Sequence, residues 1–289
     1  MQNSLTVKDF SLRKTLLCGQ TFRIFEEGND FVVPFKRSVL RLSQTENKLY
    51  YSLYGEPLSE QELKRFLGLN DDIELINREL SEKAKNFSEV IQYGKGLRIM
   101  RQDPYETTIS FLFSIQSSIP VIKKRLNLLS GMGGEKVETE DKTYYLFPES
   151  KVLKRMSKKE IKRLHLGFRE EWFLEFIQKY DEAFFRNLSK KGFKEKEKAL
   201  LNIKGIGIKV ANCILLFSMN EPSAFPADVW IKRGMEKLFN IKGSSKKVTE
   251  AGRELFGRFA GYAQEYMYYY IRSIYPNKSF TNKKSQGIP

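Results

Sequence analysis

Lys209 and Asp228 are the two residues of this sequence whose types and positions suit them to act together in chemistry. Lys209 follows the glycine-punctuated turn at 204–207 and opens an apolar run. An amine in the first turn of a helix faces the positive end of the helix dipole, and burial disfavours its charge further. We therefore expect the pKa of Lys209 to be lowered, which makes a neutral, nucleophilic amine accessible.

Asp228 stands between Pro226 and the apolar residues 229–231. This is the position of a helix N-cap, and capping alone is a sufficient reason for an aspartate there. A carboxylate at this point could also face a developing sugar cation or handle protons. The residues by themselves leave both interpretations open.

Gly205 and Gly207 separate two apolar segments, of which the second, from Val210 to Leu215, has helical spacing. Two helices joined by so short a turn form a tight hairpin, and glycine accepts the positive φ that such a turn needs. The first amides of the second helix point out of its N-terminus, where a DNA phosphate binds well. An ordinary helix C-cap followed by another helix explains the glycines equally well.

Residues 200–238 resemble the helix-hairpin-helix/Gly-Pro-Asp motif of the base-excision DNA glycosylase superfamily. The glycines, lysine and aspartate of that motif fall in register with Gly205, Gly207, Lys209 and Asp228. The resemblance implies that Lys209 attacks the sugar and that Asp228 assists. A lysine at this position further implies a bifunctional enzyme, a glycosylase with AP lyase activity.

Two other segments resemble 8-oxoguanine DNA glycosylases. Residues 18–22, Cys-Gly-Gln-Thr-Phe, are similar to a segment that lines the base pocket, which implies that the carbonyl of Gly19 accepts the N7–H of 8-oxoguanine. Gln264 and Tyr268 match the other pocket wall, where they would address and stack on the purine, with Cys213 beside it. A turn glycine, a core aromatic and a small buried cysteine are the alternative interpretations.

The same resemblance assigns residues that contact the DNA strands. Gln116 and Val121 match two positions that read the cytosine opposite the lesion. Because valine lacks the donors of the family's arginine, we expect weaker discrimination for cytosine. Phe168 matches an aromatic wedge and Arg169 an arginine that contacts the opposite base. A core phenylalanine and a surface arginine are the alternative.

The composition indicates a polyanionic partner. The 289 residues carry a formal net charge of +15, which favours nucleic acid over an anionic membrane. No apolar run approaches the roughly 20 residues of a membrane span, and the N-terminus has no signal-peptide pattern. We expect a monomer that binds duplex DNA containing 8-oxoguanine, has no membrane partner, and is cytoplasmic and nucleoid-associated.

The cysteine count bears on cofactors. Cys18 and Cys213 are the two cysteines, and an iron–sulfur cluster takes four protein ligands. Although some relatives in the superfamily carry such a cluster, we expect none here, and no other cofactor or metal. His165, the single histidine, has no neighbouring partner ligand, so we interpret it as structural.

The predicted secondary structure that positions these residues changes near residue 95, from a part that contains strands to a part that is almost wholly helical. The first part has β-rich runs at 22–25, 31–35, 39–43 and 49–54, with helices predicted near 58–68 and 72–90. Beyond residue 101 the pattern is almost wholly helical, with a loop predicted at 131–141 and a frayed tail at 278–289.

We therefore predict an α+β fold. An N-terminal antiparallel sheet domain with flanking helices, which the resemblance implies to be TBP-like, spans 1–95. A helical helix-hairpin-helix glycosylase region spans 96–289, with the hairpin near 200–228.

The function implied by the resemblance is excision of a flipped 8-oxoguanine through a lysine Schiff base, followed by β-elimination. A related glycosylase for another damaged base is the alternative enzyme. A non-enzymatic helix-hairpin-helix module is the alternative outside enzymes, and it would not need Lys209.

Overall fold

The N-terminal part of the chain folds into an antiparallel meander. In the computed structural model, which describes residues 2–275, the strands of this sheet are β1 (Asn3–Thr6), β2 (Phe25–Glu27), β3 (Asp30–Phe35), β4 (Ser38–Thr45) and β5 (Lys48–Gly55). They lie in the order β1-β5-β4-β3-β2. The predicted tail at 278–289 lies outside the described residues.

Strands β3, β4 and β5 confirm the strands predicted at 31–35, 39–43 and 49–54. The strand predicted at 22–25 was placed wrongly, because β2 begins only at Phe25. The buried side chain of Gln20 donates to the carbonyl oxygens of Thr15 and Arg98 and accepts from the amide of Met100, all at 2.8 Å. These bonds tie residues 20–24 to the connection that leads into the helices. Pairing with β3 therefore begins only at Phe25.

Helices make up most of the remainder. They are α1 (Leu12–Leu17), α2 (Glu60–Phe66), α3 (Ile73–Lys83), α4 (Ser88–Gly94), α5 (Pro104–Ser114), α6 (Ile119–Gly133), α7 (Ser150–Leu153), α8 (Lys158–Lys162), α9 (Arg169–Lys179), α10 (Glu182–Leu188), α11 (Phe193–Leu201), α12 (Ile208–Ser218), α13 (Val229–Phe239), α14 (Ser245–Phe256) and α15 (Ala260–Ile274). Short 3₁₀ turns occupy Lys85–Phe87 and Gly257–Phe259. The predicted α+β architecture is confirmed. No helix within residues 2–275 has the length and apolar character of a membrane span.

A second, two-stranded sheet replaces part of the predicted loop at 131–141. Its strands are β6 (Lys136–Glu138) and β7 (Thr143–Tyr145). Val137 and Tyr144 are buried against Val32 and Val39 of the larger sheet. These short strands are stabilised by burial against a sheet that is distant in sequence. The residues of the strands themselves do not indicate such a contact.

The helical core places α12 at its centre. Ala211, Ile214 and Leu215 have no exposed surface, and α12 packs on α5, α11 and α14. Helix α15 packs on α4 and α13. The starts of α12 and α13 and the middle of α15 therefore lie together, next to the end of α1.

Candidate active site

The turn between α11 and α12 has the geometry of a close-packed hairpin. Gly205 adopts φ +87°, and a Cβ atom at this position would lie 2.4 Å from the ring of Trp172. Gly207 caps α12 without a side chain, and a Cβ there would meet nothing within 4 Å. Position 205 therefore requires glycine, because a side chain there would collide with Trp172. The absence of a side chain at Gly207 leaves the N-terminus of α12 open to an anion.

Lys209 is the second residue of α12 and is half-buried. Its Nζ lies 5.2 Å from the centroid of the Phe111 ring. It lies near Cys213, one turn along the helix, and within the charges of Asp228 and Glu265. The amine therefore faces the interior cluster rather than solvent.

The direction of the pKa of Lys209 is opposite to the one predicted. Burial lowers this pKa, as expected, but the interaction with Cys213 and the charges of Asp228 and Glu265 together outweigh burial and raise it above the usual 10.5. The lysine is therefore an ammonium at neutral pH in the free protein. A helix N-terminus can be read from sequence, whereas the acids contributed by other helices cannot.

Asp228 is the N-cap of α13, which confirms that part of its interpretation. Its Oδ1 accepts the amides of Trp230 and Ile231, both at 2.9 Å. Burial raises the pKa of Asp228, while Lys209 and the two amides lower it. The cap thus fixes one carboxylate oxygen and directs the group's charge toward Lys209.

Cys213 is a buried free thiol beside Lys209. Burial raises the pKa of Cys213 to about 11, against the opposing effect of the Lys209 charge. At neutral pH the residue is therefore a thiol, which forms a small apolar surface with a weak hydrogen-bonding capacity.

Gly19 and Tyr268 face each other across the end of α1 and the middle of α15. Gly19 has φ +104°, and a Cβ there would lie 3.4 Å from Cε1 of Tyr268 and 3.5 Å from its hydroxyl oxygen. The hydroxyl accepts a hydrogen bond from Arg272 at 3.2 Å. The glycine carbonyl and the tyrosine ring that the sequence places in one pocket are thus adjacent.

Gln264 and Glu265 form a buried polar pair that the sequence only half revealed. They are 4% and 3% exposed, and Oε1 of Gln264 and Oε2 of Glu265 have no hydrogen-bond partner. Burial raises the pKa of Glu265 to about 8, and the neighbouring side chains of Cys18 and Gln264 oppose that rise. Sequence reasoning missed Glu265 because a helical glutamate among tyrosines gives no signal of burial.

Phe168 and Arg169 project from the start of α9. Phe168 is 48% exposed and packs edge-on against Trp172, with ring centroids 5.0 Å apart. Arg169 is 5% exposed, and its guanidinium carbon lies 4.7 Å from the Phe168 centroid. The alternative of a core phenylalanine and a surface arginine is therefore wrong, because the exposures are reversed.

Arg125 is a second cation beside Arg169 that sequence reasoning missed. Both guanidinium groups donate to the Ser117 hydroxyl at 2.8 Å, and Arg125 also donates to the carbonyl of His165 at 2.6 Å. Gln116, next to this serine, is exposed and has φ +49°. Val121 is 40% exposed. Two cations thus share the Ser117 hydroxyl, and one of them, Arg169, lies beside the exposed ring of Phe168.

The site holds no recognisable metal-binding set. Within residues 2–275, no group of three His, Cys, Asp or Glu side chains is placed to hold a metal ion. His165 is exposed at a turn with φ +50°. What the cluster offers instead is an amine near two carboxyl groups, further buried polar side chains and a helix N-terminus without a capping side chain.

Comparisons with known proteins agree with this geometry. Residues 4–108 match the family described as 8-oxoguanine DNA glycosylase, N-terminal domain. The Clostridium acetobutylicum 8-oxoguanine glycosylase/lyase, solved with dsDNA containing cytosine opposite to 8-oxoG, is 30% identical with a TM-score of 0.87, covering 95% of this chain and 98% of that one. The N-glycosylase/DNA lyase OGG1 of Arabidopsis thaliana is 27% identical over 305 residues, 98% of this chain and 83% of that protein.

The same fold also occurs in a glycosylase named for a different damaged base. The 3-methyladenine DNA glycosylase of Archaeoglobus fulgidus has a TM-score of 0.77 at 20% identity, covering 94% of this chain and 99% of that one. Because that likeness concerns the fold alone, the choice of damaged base depends on the pocket residues.

Proposed function

Because this chain belongs to the 8-oxoguanine DNA glycosylase/lyase family, as its motifs predicted, we propose that it excises 8-oxoguanine from duplex DNA and then nicks the strand. The observation that carries the proposal is the position of Lys209. Its amine lies at the open N-terminus of α12, against Cys213 and within the charge of Asp228.

The DNA is bound by its backbone and opened by a wedge. A phosphate at the N-terminus of α12 meets the free amides that follow Gly207. Phe168, exposed and supported by Trp172 and Arg169, enters the stack where the damaged nucleotide leaves it. Extrusion costs a few kcal/mol, which contacts in the pocket offset.

The base is recognised between α1 and α15. The carbonyl of Gly19 accepts the N7–H of 8-oxoguanine, which guanine lacks, and Gln264 addresses the Watson–Crick edge. Tyr268 stacks on one face of the purine and Cys213 borders the other. One acceptor is sufficient to discriminate, since an unpaired polar group in a dry pocket is costly.

Bond breaking begins with the amine of Lys209. Its proton must leave first, and the carboxylate of Asp228 receives it. The nitrogen then forms a bond to C1′ as the C1′–N9 bond breaks, and the electron pair departs with the base. Asp228 gives the proton that it received to N9 of the departing base, which restores the carboxylate beside the positive charge that develops on the sugar and nitrogen.

Strand cleavage follows from the covalent intermediate. The proton lost from nitrogen is taken up by O4′ as the sugar ring opens, which gives an imine between Lys209 and C1′. The imine acidifies C2′–H, and transfer of that proton to solvent water expels the 3′ phosphate in a β-elimination. These steps use Lys209, Asp228 and water, and the proposal includes no metal or cofactor. We propose that the protein acts as a monomer on chromosomal DNA, in the cytoplasm and nucleoid-associated.

Excision of defined lesions tests this function. Duplexes carrying 8-oxoguanine, 3-methyladenine or an oxidised pyrimidine are incubated with the protein, and released base and nicked strand are measured separately. We expect release of 8-oxoguanine at least 100-fold faster than release of the others. Preferential release of another base would instead assign the protein to a different lesion.

The opposing base is varied in the same assay. With 8-oxoguanine opposite each of the four bases, we expect less than tenfold preference for cytosine, because Val121 offers no donors. A preference above 100-fold would show that Arg125 and Arg169 supply the discrimination instead.

A further inference from the structure

Arg125 lies outside the proposed catalytic cluster, yet it joins two segments of the chain that face the DNA in the proposed function. The first is the connection between α5 and α6, which carries the exposed Gln116. The second is the turn that leads into α9 and carries the exposed Phe168. Arg125 itself belongs to α6 and is half-buried.

The guanidinium group of Arg125 donates a hydrogen bond to each of these two segments. One is to the hydroxyl of Ser117 at 2.8 Å, and the other is to the carbonyl oxygen of His165 at 2.6 Å. Ser117 directly follows Gln116 in the first segment. His165 lies three residues before Phe168 in the second. Because a guanidinium group is a rigid planar fork, the use of two donors fixes the separation of the two acceptors.

Both segments have a backbone that needs support from its neighbours. Gln116 has φ +49° and His165 has φ +50°. A left-handed conformation costs free energy in residues other than glycine, so it persists where surrounding contacts hold it. The two hydrogen bonds of Arg125 are made at or directly beside these two residues.

The hydroxyl of Ser117 connects Arg125 to the exposed ring. It also accepts from Arg169 at 2.8 Å. A hydroxyl has two acceptor lone pairs, so the two guanidinium groups use its full accepting capacity. The guanidinium carbon of Arg169 lies 4.7 Å from the centroid of Phe168. The contacts therefore run without a break from Arg125 to the ring that we propose as the wedge.

This arrangement brings two positive charges together, which costs free energy. Burial and the charge of Arg125 lower the pKa of Arg169. Within residues 2–275, no acid forms an ion pair with either cation. A neutral side chain at position 125 would avoid this repulsion. Stability alone therefore does not account for the arginine, whereas the need to hold two segments at a fixed separation does.

We propose that Arg125 is a positioning residue for opening the duplex: its two hydrogen bonds hold Gln116 and Phe168 at the separation at which both enter the space that the flipped nucleotide leaves. This inference rests on the proposed function. Bases that are forced apart press back on the inserted ring, and the bonds of Arg125 resist the displacement of its turn. Loss of these bonds should slow extrusion and leave the base pocket unchanged.

The test compares two substrates that differ in whether a base stack must be opened. Single-turnover excision is measured for 8-oxoguanine in a fully paired duplex and for 8-oxoguanine within a short mismatched bubble. In Arg125→Met, the ratio of the duplex rate to the bubble rate should fall at least tenfold below the wild-type ratio. Ser117→Ala, which removes the shared acceptor, should lower the ratio at least threefold.

Two further variants separate geometry from charge. Arg125→Lys keeps the charge but has all of its donors on one nitrogen, so its ratio should stay at least threefold below that of the wild-type protein. Lys124→Met is the matched control, because it removes a charge from the exposed neighbouring residue of α6. It should leave the ratio unchanged.

A double variant tests whether Arg125 acts through the ring. In Arg125→Met/Phe168→Ala, the ratio should be within twofold of the ratio in Phe168→Ala alone, because no wedge is left to position. Losses that multiply in the double variant would mean that the two side chains act separately, which contradicts the inference.

The other results that would overturn the inference concern single variants. They are an unchanged ratio in Arg125→Met or Ser117→Ala, a wild-type ratio in Arg125→Lys, or an equal loss in Lys124→Met. A wild-type ratio with lysine would make position 125 a charge contact to the DNA backbone. Because each ratio is taken within one variant, a smaller fraction of folded protein does not change it. Failure of the proposed function is distinct, since the wild-type protein would then excise 8-oxoguanine from neither substrate.

Discussion

At the level of single residues, the site is a cluster of four titratable side chains, two of them buried and two half-buried. Lys209, Cys213, Asp228 and Glu265 all have a pKa raised above the usual value, the acids chiefly by burial and the lysine by the acids around it. The lysine therefore begins the reaction protonated. Its activation depends on a neighbouring carboxylate rather than on a depressed pKa.

Glu265 should make stability depend on pH. Its pKa is near 4.5 when the chain is unfolded and about 8 when folded, so folding favours the protonated acid. The contribution of Glu265 to the free energy of unfolding is fully present below pH 4.5 and is lost progressively as the pH rises to 8. In urea unfolding, wild-type stability should fall relative to Glu265→Gln by about 3 to 5 kcal/mol over this range.

The comparison with glutamine isolates Glu265 together with its effect on the neighbouring Lys209, Cys213 and Cys18, since titrations elsewhere are common to both proteins. Parallel stability curves for the two proteins would mean that Glu265 is ionised at its ordinary pKa. In that case the carboxyl would not be buried as described.

Candidate catalytic residues could be selected from the sequence where a motif fixes their spacing. Lys209 and Asp228 were selected because glycines, proline and aspartate occur in register within one segment, and the structure places the two side chains near each other. Glu265 was not, because its burial depends on Cys18 and Asp228, which belong to other helices. For the same reason the sign of the pKa shift at Lys209 was wrong.

At the level of elements, the hairpin and the wedge are one packed unit. Trp172 of α9 contacts Phe168 on one side and closes on Gly205 on the other. The hairpin proposed to receive the phosphate and the ring proposed to enter the duplex are therefore packed against the same tryptophan. Shared packing of this kind suits a reaction that must extrude one nucleotide.

The two glycines of the hairpin should respond differently to alanine. Gly205→Ala forces φ +87° on an alanine and moves Trp172, so stability should fall by about 2 to 4 kcal/mol in urea unfolding. Gly207→Ala meets no atom within 4 Å and should cost below about 1 kcal/mol. Its methyl group instead obstructs the phosphate, so DNA affinity should fall about tenfold while the fold persists. Equal stability losses would contradict these separate roles.

Phe168→Ala tests the wedge. Because half of the ring is exposed, its removal should change stability by about 1 kcal/mol or less. Single-turnover excision from duplex DNA should slow at least tenfold, whereas excision from a single strand, which has no stack to open, should change little. A large loss on both substrates would indicate that the ring supports the fold instead.

Secondary-structure elements were predictable where the apolar residues of a long segment recur at the spacing of a helix or a strand. This holds for α12 and for the three central strands of the sheet. It fails for β6 and β7, which are three residues each and depend on Val32 and Val39 for burial. It also fails at residues 22–24, where the hydrogen bonds of Gln20 outweigh a β-rich composition.

At the level of the whole molecule, the charge balance is that of a DNA-binding protein. A net charge of +15 on 289 residues attracts undamaged DNA as well as the lesion. Such non-specific binding brings the protein to the duplex, and the pocket then selects the base. The two steps should differ in their response to salt.

Affinity for undamaged duplex should fall steeply with salt. If the protein neutralises about six phosphates, affinity drops about 1,000-fold between 50 and 200 mM salt. Fluorescence anisotropy on a labelled duplex measures this, and the ratio of lesion to undamaged affinity should change far less. A salt-independent affinity would mean that phosphate contacts contribute little.

Borohydride trapping of the imine tests the central claim most directly. The protein is mixed with a duplex containing 8-oxoguanine and sodium borohydride, and the covalent product is digested and its attachment site identified by mass spectrometry. We predict a single cross-link, at Lys209, which Lys209→Gln abolishes while duplex binding persists. A cross-link at another residue, or one of undiminished yield in Lys209→Gln, would contradict the account.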